Sequence, residues 1–296
     1  MIAILGGLGA ACLWATANLA SSRSSRIIGA TSTVAWMMLV GLVVTTPFAV
    51  ASGPLPPLTP MMPVWLTASG VGGVVGLMLV YRGLRIGKIG VVLALASTEG
   101  AIAAVFAVVA GESLTLPTAV VLGVIAIGVT IVALASGGAE AAPSSDPGGV
   151  APATDHLGLE RRAALFGALA AIAFGFSIYG TAKIGQTLPV AFAVLPARVV
   201  GVAFVFIPMA LTGRLRLTRR TVPMVVIVGL GEVLGNASYV AGARESIAVA
   251  SVLASQFAAV AAVAAFLLFR ERLSFQQRSG FVAIALGVAV LTVVRG

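Results

Sequence analysis

The feature that most constrains this chain is a series of ten apolar segments, each about 20 residues long. A helix needs roughly 20 mainly apolar residues to cross the hydrocarbon core of a bilayer. Short stretches that hold most of the charged residues separate the segments. The segments cover approximately 2–20, 31–51, 64–81, 89–110, 117–136, 163–182, 188–212, 221–242, 246–269 and 277–294. The sequence therefore predicts an all-α integral membrane protein with ten transmembrane helices.

The composition agrees with a bilayer environment. Only 9% of the residues are charged and the mean hydropathy is +1.12, whereas a soluble domain carries about 25% charged residues. The net charge of +9 does not indicate a nucleic-acid partner, because the basic residues are dispersed between apolar runs instead of clustering on one wetted face. We expect the lipid bilayer to be a partner, and nucleic acid not to be one.

One long stretch interrupts the regular spacing of the segments. Residues 137–162 are rich in Pro, Gly, Ser and acidic residues, a composition that cannot form a packed core. The sequence predicts a disordered linker there. It divides the chain into two five-helix units, 1–136 and 163–296.

The two halves resemble each other. When Tyr81–Ala107 is laid on Tyr239–Ala265 without a gap, 11 of the 27 pairs are identical, against roughly three expected by chance in so biased a composition. The pairs include Ser97 with Ser255 and, after a one-residue shift, Gly128 with Gly287. Since five helices are an odd number, the second repeat must enter the membrane from the opposite side. This predicts an inverted repeat, as in many secondary transporters.

The loop charges predict the orientation. Of the 18 Lys and Arg residues, 14 lie in alternate connections, which belong to one side of the membrane. Basic loops favour the cytoplasmic side. We therefore expect the loops with Arg23, Arg85 and Arg219 in the cytoplasm and both termini outside, in a multi-pass protein of the cell (inner) membrane.

Several motifs occur in duplicate and resemble a known family. The halves close with GESLTLPTAVVLGVIAIGV and RERLSFQQRSGFVAIALGV, and they open with LWATANLA and FGFSIYGTAK. This arrangement resembles the EamA-type transporters of the drug/metabolite transporter superfamily. Arg198 is similar to the arginine often found in the second helix of a repeat. The resemblance implies transport of small metabolites, amino acids or drugs, and it fixes no universal catalytic residues.

Three charged residues fall inside predicted helices: Glu99, Arg198 and Glu232. Burial of each costs roughly 2.5–3.5 kcal/mol on the insertion scale, so a partner or a wet environment is expected. Arg198 is the expected partner of Glu232. Two interpretations remain open: a static ion pair that locks helices seven and eight, or a water-filled substrate or proton site.

The other candidate residues are polar or aromatic side chains on helix faces that can line the same cavity. They are Asn236, Tyr239, Gln256, Trp14, Asn18, Tyr179 and Thr98. Glu232, Asn236 and Tyr239 share one face of helix eight by their i, i+4, i+7 spacing. For the aromatic residues the alternatives are packing of Trp14 and interfacial anchoring of Tyr239.

The motifs of several other classes are missing from the sequence. The single histidine, His156, lies in the predicted linker, and GxxxxGK[ST] does not occur, so no cofactor, metal site or ATP use is expected. The sequence favours a secondary active transporter that works by alternating access, with export as the expected direction and protons as a coupling ion. The alternative is a membrane-embedded enzyme or lipid-handling protein that uses Glu99, Glu232 and Arg198. A small-molecule substrate and a monomer or homodimer are expected.

Overall fold

The computed structural model describes residues 1–54, 57–86, 89–139, 153–269 and 275–295, and all regular structure within these ranges is helical. The helices are α1 (Ile2–Ile28), α2 (Ala30–Ala51), α3 (Met62–Ile86), α4 (Ile89–Ala96), α5 (Glu99–Val109), α6 (Leu116–Ala139), α7 (Ala153–Thr187), α8 (Val190–Gly201), α9 (Ile207–Leu211), α10 (Val222–Ala243), α11 (Ile247–Ala254), α12 (Phe257–Phe269) and α13 (Phe275–Arg295). A π-helical turn, Val202–Phe206, joins α8 to α9. The all-α prediction is confirmed.

Each of the ten predicted segments coincides with one helix or with consecutive helices. Helices α4 and α5 together form the fourth segment, α8 to α9 the seventh, and α11 and α12 the ninth. Within the described ranges, six helices are long and apolar enough to cross a membrane unaided. The remaining apolar helices are shorter, and two of the spans are built from such pieces.

Several helices are longer than predicted. The basic stretch 21–26 was expected to connect two spans, but α1 continues through it to Ile28. The predicted linker, 137–162, is helical at both ends, since α6 runs to Ala139 and α7 begins at Ala153; its middle, 140–152, lies outside the described residues. A helix satisfies its backbone hydrogen bonds internally, so it can extend beyond its apolar segment without a core around it.

The main contacts between helices occur in equivalent pairs. In each pair, the helix from one half is replaced by its counterpart from the other half. Helix α1 packs on α10 as α7 packs on α3, and α6 pairs with its counterpart α13. The α6–α13 contact shows the relation at single residues. A Cβ at Gly128 would lie 3.0 Å from the side chain of Ile284, and a Cβ at Gly287 would lie 2.5 Å from the side chain of Ile125. The residues that pair in the sequence thus make matching contacts.

Close approach of glycine backbones makes α1 and α10 one tightly packed unit. A Cβ at Gly6 would lie 2.6 Å from the Cα of Gly242, which is too close for any side chain. Small residues allow such contacts where lipid provides no hydrophobic drive for helices to associate. All eight residues of α11 are buried against this unit and its neighbours.

Candidate functional site

Two spans are broken at their centres, and the breaks lie at residues that pair in the sequence alignment. Helix α4 ends at Ala96 and α5 begins at Glu99; α11 ends at Ala254 and α12 begins at Phe257. The prediction that Glu99 lies inside a continuous helix was therefore wrong. Next to each break a hydroxyl bonds to the carbonyl three residues earlier, Thr98 to Leu95 at 2.7 Å and Ser255 to Val252 at 2.9 Å. Such bonds compete with the helical ladder.

Glu99 is the first residue of α5 and is partly exposed. It interacts electrostatically with Glu232 of α10. Helix α7 approaches the break closely because it has no side chain at Gly175, where a Cβ would lie 3.0 Å from the carbonyl oxygen of Glu99. The break thus places one carboxylate beside a second one from another helix.

Arg198 is the ion-pair partner of Glu232, as the sequence indicated. Its Nη2 lies 3.3 Å from Oε2 of Glu232, and the side chains are 3% and 26% exposed, respectively. A second guanidinium nitrogen, Nη1, lies 3.5 Å from the sulfur of Met38 on α2, and the third, Nε, is buried without a partner among the described residues. Gly41 makes room for the arginine, since a Cβ there would lie 2.8 Å from its Cδ. The pair therefore joins α2, α8 and α10, with its acidic member partly exposed.

The two candidate asparagines turn their amide nitrogens toward their own helices. Asn18 donates from Nδ2 to the carbonyl of Trp14 at 2.9 Å, and Asn236 donates to the carbonyl of Glu232 at 2.7 Å. Asn18 is exposed and Asn236 is partly exposed. Each amide oxygen therefore points away from the helix that holds the nitrogen. With the carboxylates, the candidate side chains that are partly exposed near the breaks present oxygen acceptors.

Trp14 is buried and packs among aromatic rings, as the packing interpretation expected. Its ring centroid lies 6.2 Å from that of Tyr239 and 6.3 Å from that of Phe257. The indole edge is pressed against Gly235, where a Cβ would lie 2.5 Å from Nε1. Trp14 thus connects the second helix break to the face of α10 that carries Glu232.

Two buried donors near the second break lack a partner among the described residues. They are Nε1 of Trp14 and Nε2 of Gln256, and Gln256 is only 2% exposed. Buried donors are normally satisfied by protein or by water. These two nitrogens are therefore places where water or a bound solute would complete the structure.

Tyr239 is neither an interfacial anchor nor a lining residue. It is fully buried, and its hydroxyl hydrogen bonds with the carbonyl of Ile178 at 3.2 Å and with the hydroxyl of Ser251 at 2.9 Å. These bonds join α10 to α7 and α11. This geometry does not favour the predicted role of Tyr239 in binding a solute, because no part of its ring is exposed.

Tyr179 also belongs to a packed cluster away from the charges. Its ring lies 5.5 Å from that of Trp65 on α3 and 6.0 Å from that of Phe106 on α5. The ammonium of Lys183 lies 5.5 Å above the same ring, a cation–π contact. Tyr179 is buried and joins α7 to α3 and α5 instead of facing Glu232.

The sequence reasoning missed one acidic residue. Glu112 was assigned only to a connection, yet its carboxylate accepts hydrogen bonds from the start of α11, in the other half of the chain. The repeated Glu-x-Leu pattern marked the position, but nothing in the pattern named its partner. The second copy of that pattern, with Glu271, lies outside the described residues.

Two cavities in the described part of the chain are apolar grooves. One, of about 550 Å³, runs between α3 and α7 and includes Val64, Val71 and Phe176. The other, of about 290 Å³, lies between α5, α6 and α11. None of the candidate polar residues lines either groove. These grooves do not coincide with the polar cavity that the sequence led us to expect.

Comparison with known proteins assigns the family. The model of the EamA-like transporter family matches residues 1–134 and 161–293. The chain belongs to this family. No curated protein matches the sequence of this EamA-like protein. A crystal structure of another protein, 19% identical, superposes with a TM-score of 0.74 over 99% of this chain and 96% of that one, which shows a shared fold.

The family determines the coarse function. This EamA-like protein is a multi-pass membrane protein of a transporter family within the drug/metabolite transporter superfamily. Membership favours transport over the enzymatic alternative.

Proposed function

We propose that this protein is a secondary active transporter that moves a small solute by alternating access. The observation that carries the proposal is the pair of helix breaks at matching positions of the two halves, with Glu99 at one break and Glu232 beside it. Discontinuous helices that meet at a repeat interface are a recurrent way to build a transporter's binding site near the middle of the bilayer.

The proposal includes an inverted repeat. Residues 1–136 and 163–296 would superpose after a half-turn about an axis in the membrane plane. The matching contacts of Gly128 with Ile284 and of Gly287 with Ile125 support a two-fold relation. The odd number of spans in each half supports an axis in the plane, since the second half then enters from the opposite side. Superposition about an axis along the membrane normal would contradict this part.

The substrate we propose carries an amine. The partly exposed oxygens near the breaks are hydrogen-bond acceptors. The neighbouring cation, Arg198, is 3% exposed and is paired with Glu232. A protonated amine provides donors and a positive charge for Glu99 and Glu232, and the partly exposed ring of Phe257 can hold an apolar part. Amines, amino acids and cationic drugs share this chemistry.

We propose proton coupling through Glu232. Its carboxylate pairs with the guanidinium of Arg198 at 3.3 Å. A movement that separates the two would free the carboxylate to take up a proton during the cycle. The contrasting interpretation is a static lock, in which the pair only holds α8 against α10.

Transport into proteoliposomes tests the proposal. Uptake or counterflow of a labelled amine would be compared with that of a neutral isostere of the same size, with and without a pH gradient. We expect transport of the amine only, and loss of the response to pH in Glu232→Gln. Glu245→Gln is the matched control, because it removes an acidic charge outside the site. Equal transport of amine and isostere would contradict the substrate class, and an unchanged pH response in Glu232→Gln would contradict coupling and make Glu99 the next candidate.

A further inference from the structure

The two ends of the bundle are packed differently. The amino-terminal face is the end that holds Met1 and the connections 110–115 and 244–246; the opposite face holds 212–221. Toward the amino-terminal face α5 packs directly on α11. Toward the opposite face, within the described residues, α4 packs on α6 and α7 while α12 packs on α1 and α6. The broken helices therefore meet on one side of their breaks and diverge on the other.

Glu112 closes the end where the broken helices meet. It follows α5, and its carboxylate oxygens accept hydrogen bonds from the hydroxyl of Ser246 at 2.5 Å and from the backbone N–H groups of Ile247 at 3.1 Å and Ala248 at 3.3 Å. The first N–H groups of a helix have no partner within the helix, and they favour a negative charge. A residue of the first half thus caps α11, in the second half.

Separation of α5 from α11 would break these bonds. Helices α1 and α10, by contrast, are held together through Gly6 and Gly242. We infer that Glu112 is the latch of the gate on the amino-terminal face: its carboxylate holds α11 against α5, and it must release α11 before the site opens there. This inference rests on the alternating-access function proposed above.

Cysteine accessibility in purified protein tests the latch. In a Cys12→Ala background, a cysteine at Ala103, which is fully buried on α5, would report opening of the α5–α11 contact to a hydrophilic maleimide. Loss of a charge-assisted cap shifts a two-state equilibrium by at least about ten-fold. We therefore expect Glu112→Gln to speed labelling at Ala103→Cys about ten-fold, and Ser246→Ala to speed it by less.

Two controls separate a latch from simple loss of stability. Glu245→Gln removes a second helix-capping carboxylate on the same face, one that contacts the ammonium of Met1 and the N–H of Ala3; it should leave the rate at Ala103→Cys unchanged. A second probe, Asn18→Cys, lies on the side where α4 and α12 diverge. Its labelling should not rise in Glu112→Gln, because release of a latch shifts the population toward the state that is open on the amino-terminal face. Local unfolding would instead expose both probes.

The results decide between the ideas. Faster labelling at Ala103→Cys alone supports the latch. An unchanged rate there in both Glu112→Gln and Ser246→Ala, or a rise at both probes, overturns it. Absence of amine transport by the wild-type protein would overturn the proposed function instead, since the labelling result does not depend on any substrate.

Discussion

The two helix breaks have the same backbone and different side chains. The alignment pairs Ser97 with Ser255. The residues that follow are Thr98, Glu99 and Gly100 in the first half, and Gln256, Phe257 and Ala258 in the second. Both halves interrupt the span at the same place. Only the first half has an acid there, and the second half has a ring that packs on Trp14.

The difference shows how a duplicated fold makes one asymmetric site. The duplicated pattern places both breaks at the centre of the bundle, and sequence divergence then makes one wall acidic and the other aromatic. The packing divides in the same way. Gly100 is buried with its backbone against Ser251 of α11 and Ser255 of the second break, whereas Ala258 is only partly buried. A Cβ is therefore excluded after the first break and accepted after the second.

We expect the largest effect on stability when a large side chain is placed after the first break. A Cβ at Gly100 would overlap the carbonyl oxygen of Ser251 and lie 2.6 Å from the Cβ of Ser255. Gly100→Leu should lower the free energy of unfolding by about 3 kcal/mol or more, because neither neighbouring backbone can yield. Ala258→Leu should cost less than about 1 kcal/mol, since its side chain is not enclosed. Denaturation in detergent would measure both, and equal losses would contradict the comparison.

The sequence predicted the apolar helices and paired the positions at which the two helix breaks lie, because both depend on properties spread over many residues. Apolar length gives the spans, and the 27-residue alignment gives the correspondence that Gly128 and Gly287 then show in contact. The Arg198–Glu232 pair was also predictable, because few charges lie inside spans and each needs a partner.

The parts that failed depend on single contacts across the chain. No periodicity marks the break before Glu99, which involves one hydroxyl bonded to one carbonyl. The burial of Tyr239 depends on the positions of Ile178 and Ser251, which its own helix does not determine. Glu112 was missed for the same reason, since its partners lie 134 to 136 residues away along the chain.

A second test replaces the ion pair of the second half with the apolar residues found at the equivalent positions of the first half. In the alignment registers, Met37 corresponds to Arg198 and Val74 to Glu232. Arg198→Met should lower the free energy of unfolding by about 1–3 kcal/mol, because it leaves a partly buried carboxylate without its charged partner. Adding Glu232→Val should recover most of the loss, since an apolar pair replaces a buried ion pair at little cost.

Chemical denaturation of the single and double variants gives the coupling energy. The double variant should be nearly as stable as the wild type and should not respond to a pH gradient in transport. If the two losses simply add, the charges do not stabilise each other, and the 3.3 Å contact contributes nothing measurable.

A smaller effect is expected at the second break, where Gln256 stands in place of Thr98. The hydroxyl of Thr98 is bonded to Leu95, whereas Nε2 of Gln256 is buried without a partner among the described residues. Gln256→Met keeps the volume and removes the unpaired donor, so it should change the free energy of unfolding by less than about 1 kcal/mol, in the stabilising direction. A loss larger than that would mean that water or a solute satisfies the nitrogen.

The smallest effect concerns a contact that only the second half makes. Glu245 follows α10, and the residue at the equivalent place in the first half is Gly87, which carries no carboxylate. The N-terminal ammonium, 2.9 Å from the carboxylate, and the N–H of Ala3 hold the pKa of Glu245 below its ordinary value. Ionised Glu245 therefore stabilises the folded state above the pKa of the unfolded chain, and that contribution is lost as the pH falls through the lower, folded pKa.

Because Glu245 is more than a third exposed, solvent screens the pair, and its contribution should not exceed about 0.5 kcal/mol. Thermal unfolding in detergent from pH 6 down to pH 3 would measure it. The wild type should lose slightly more stability over this range than Glu245→Gln, and the two should differ most at pH 6, where the carboxylate is ionised. If the variant lost as much stability as the wild type, the cap on α1 would not depend on charge. The second half would then resemble the first at this position, because the carboxylate that Gly87 lacks would add no stability through its charge.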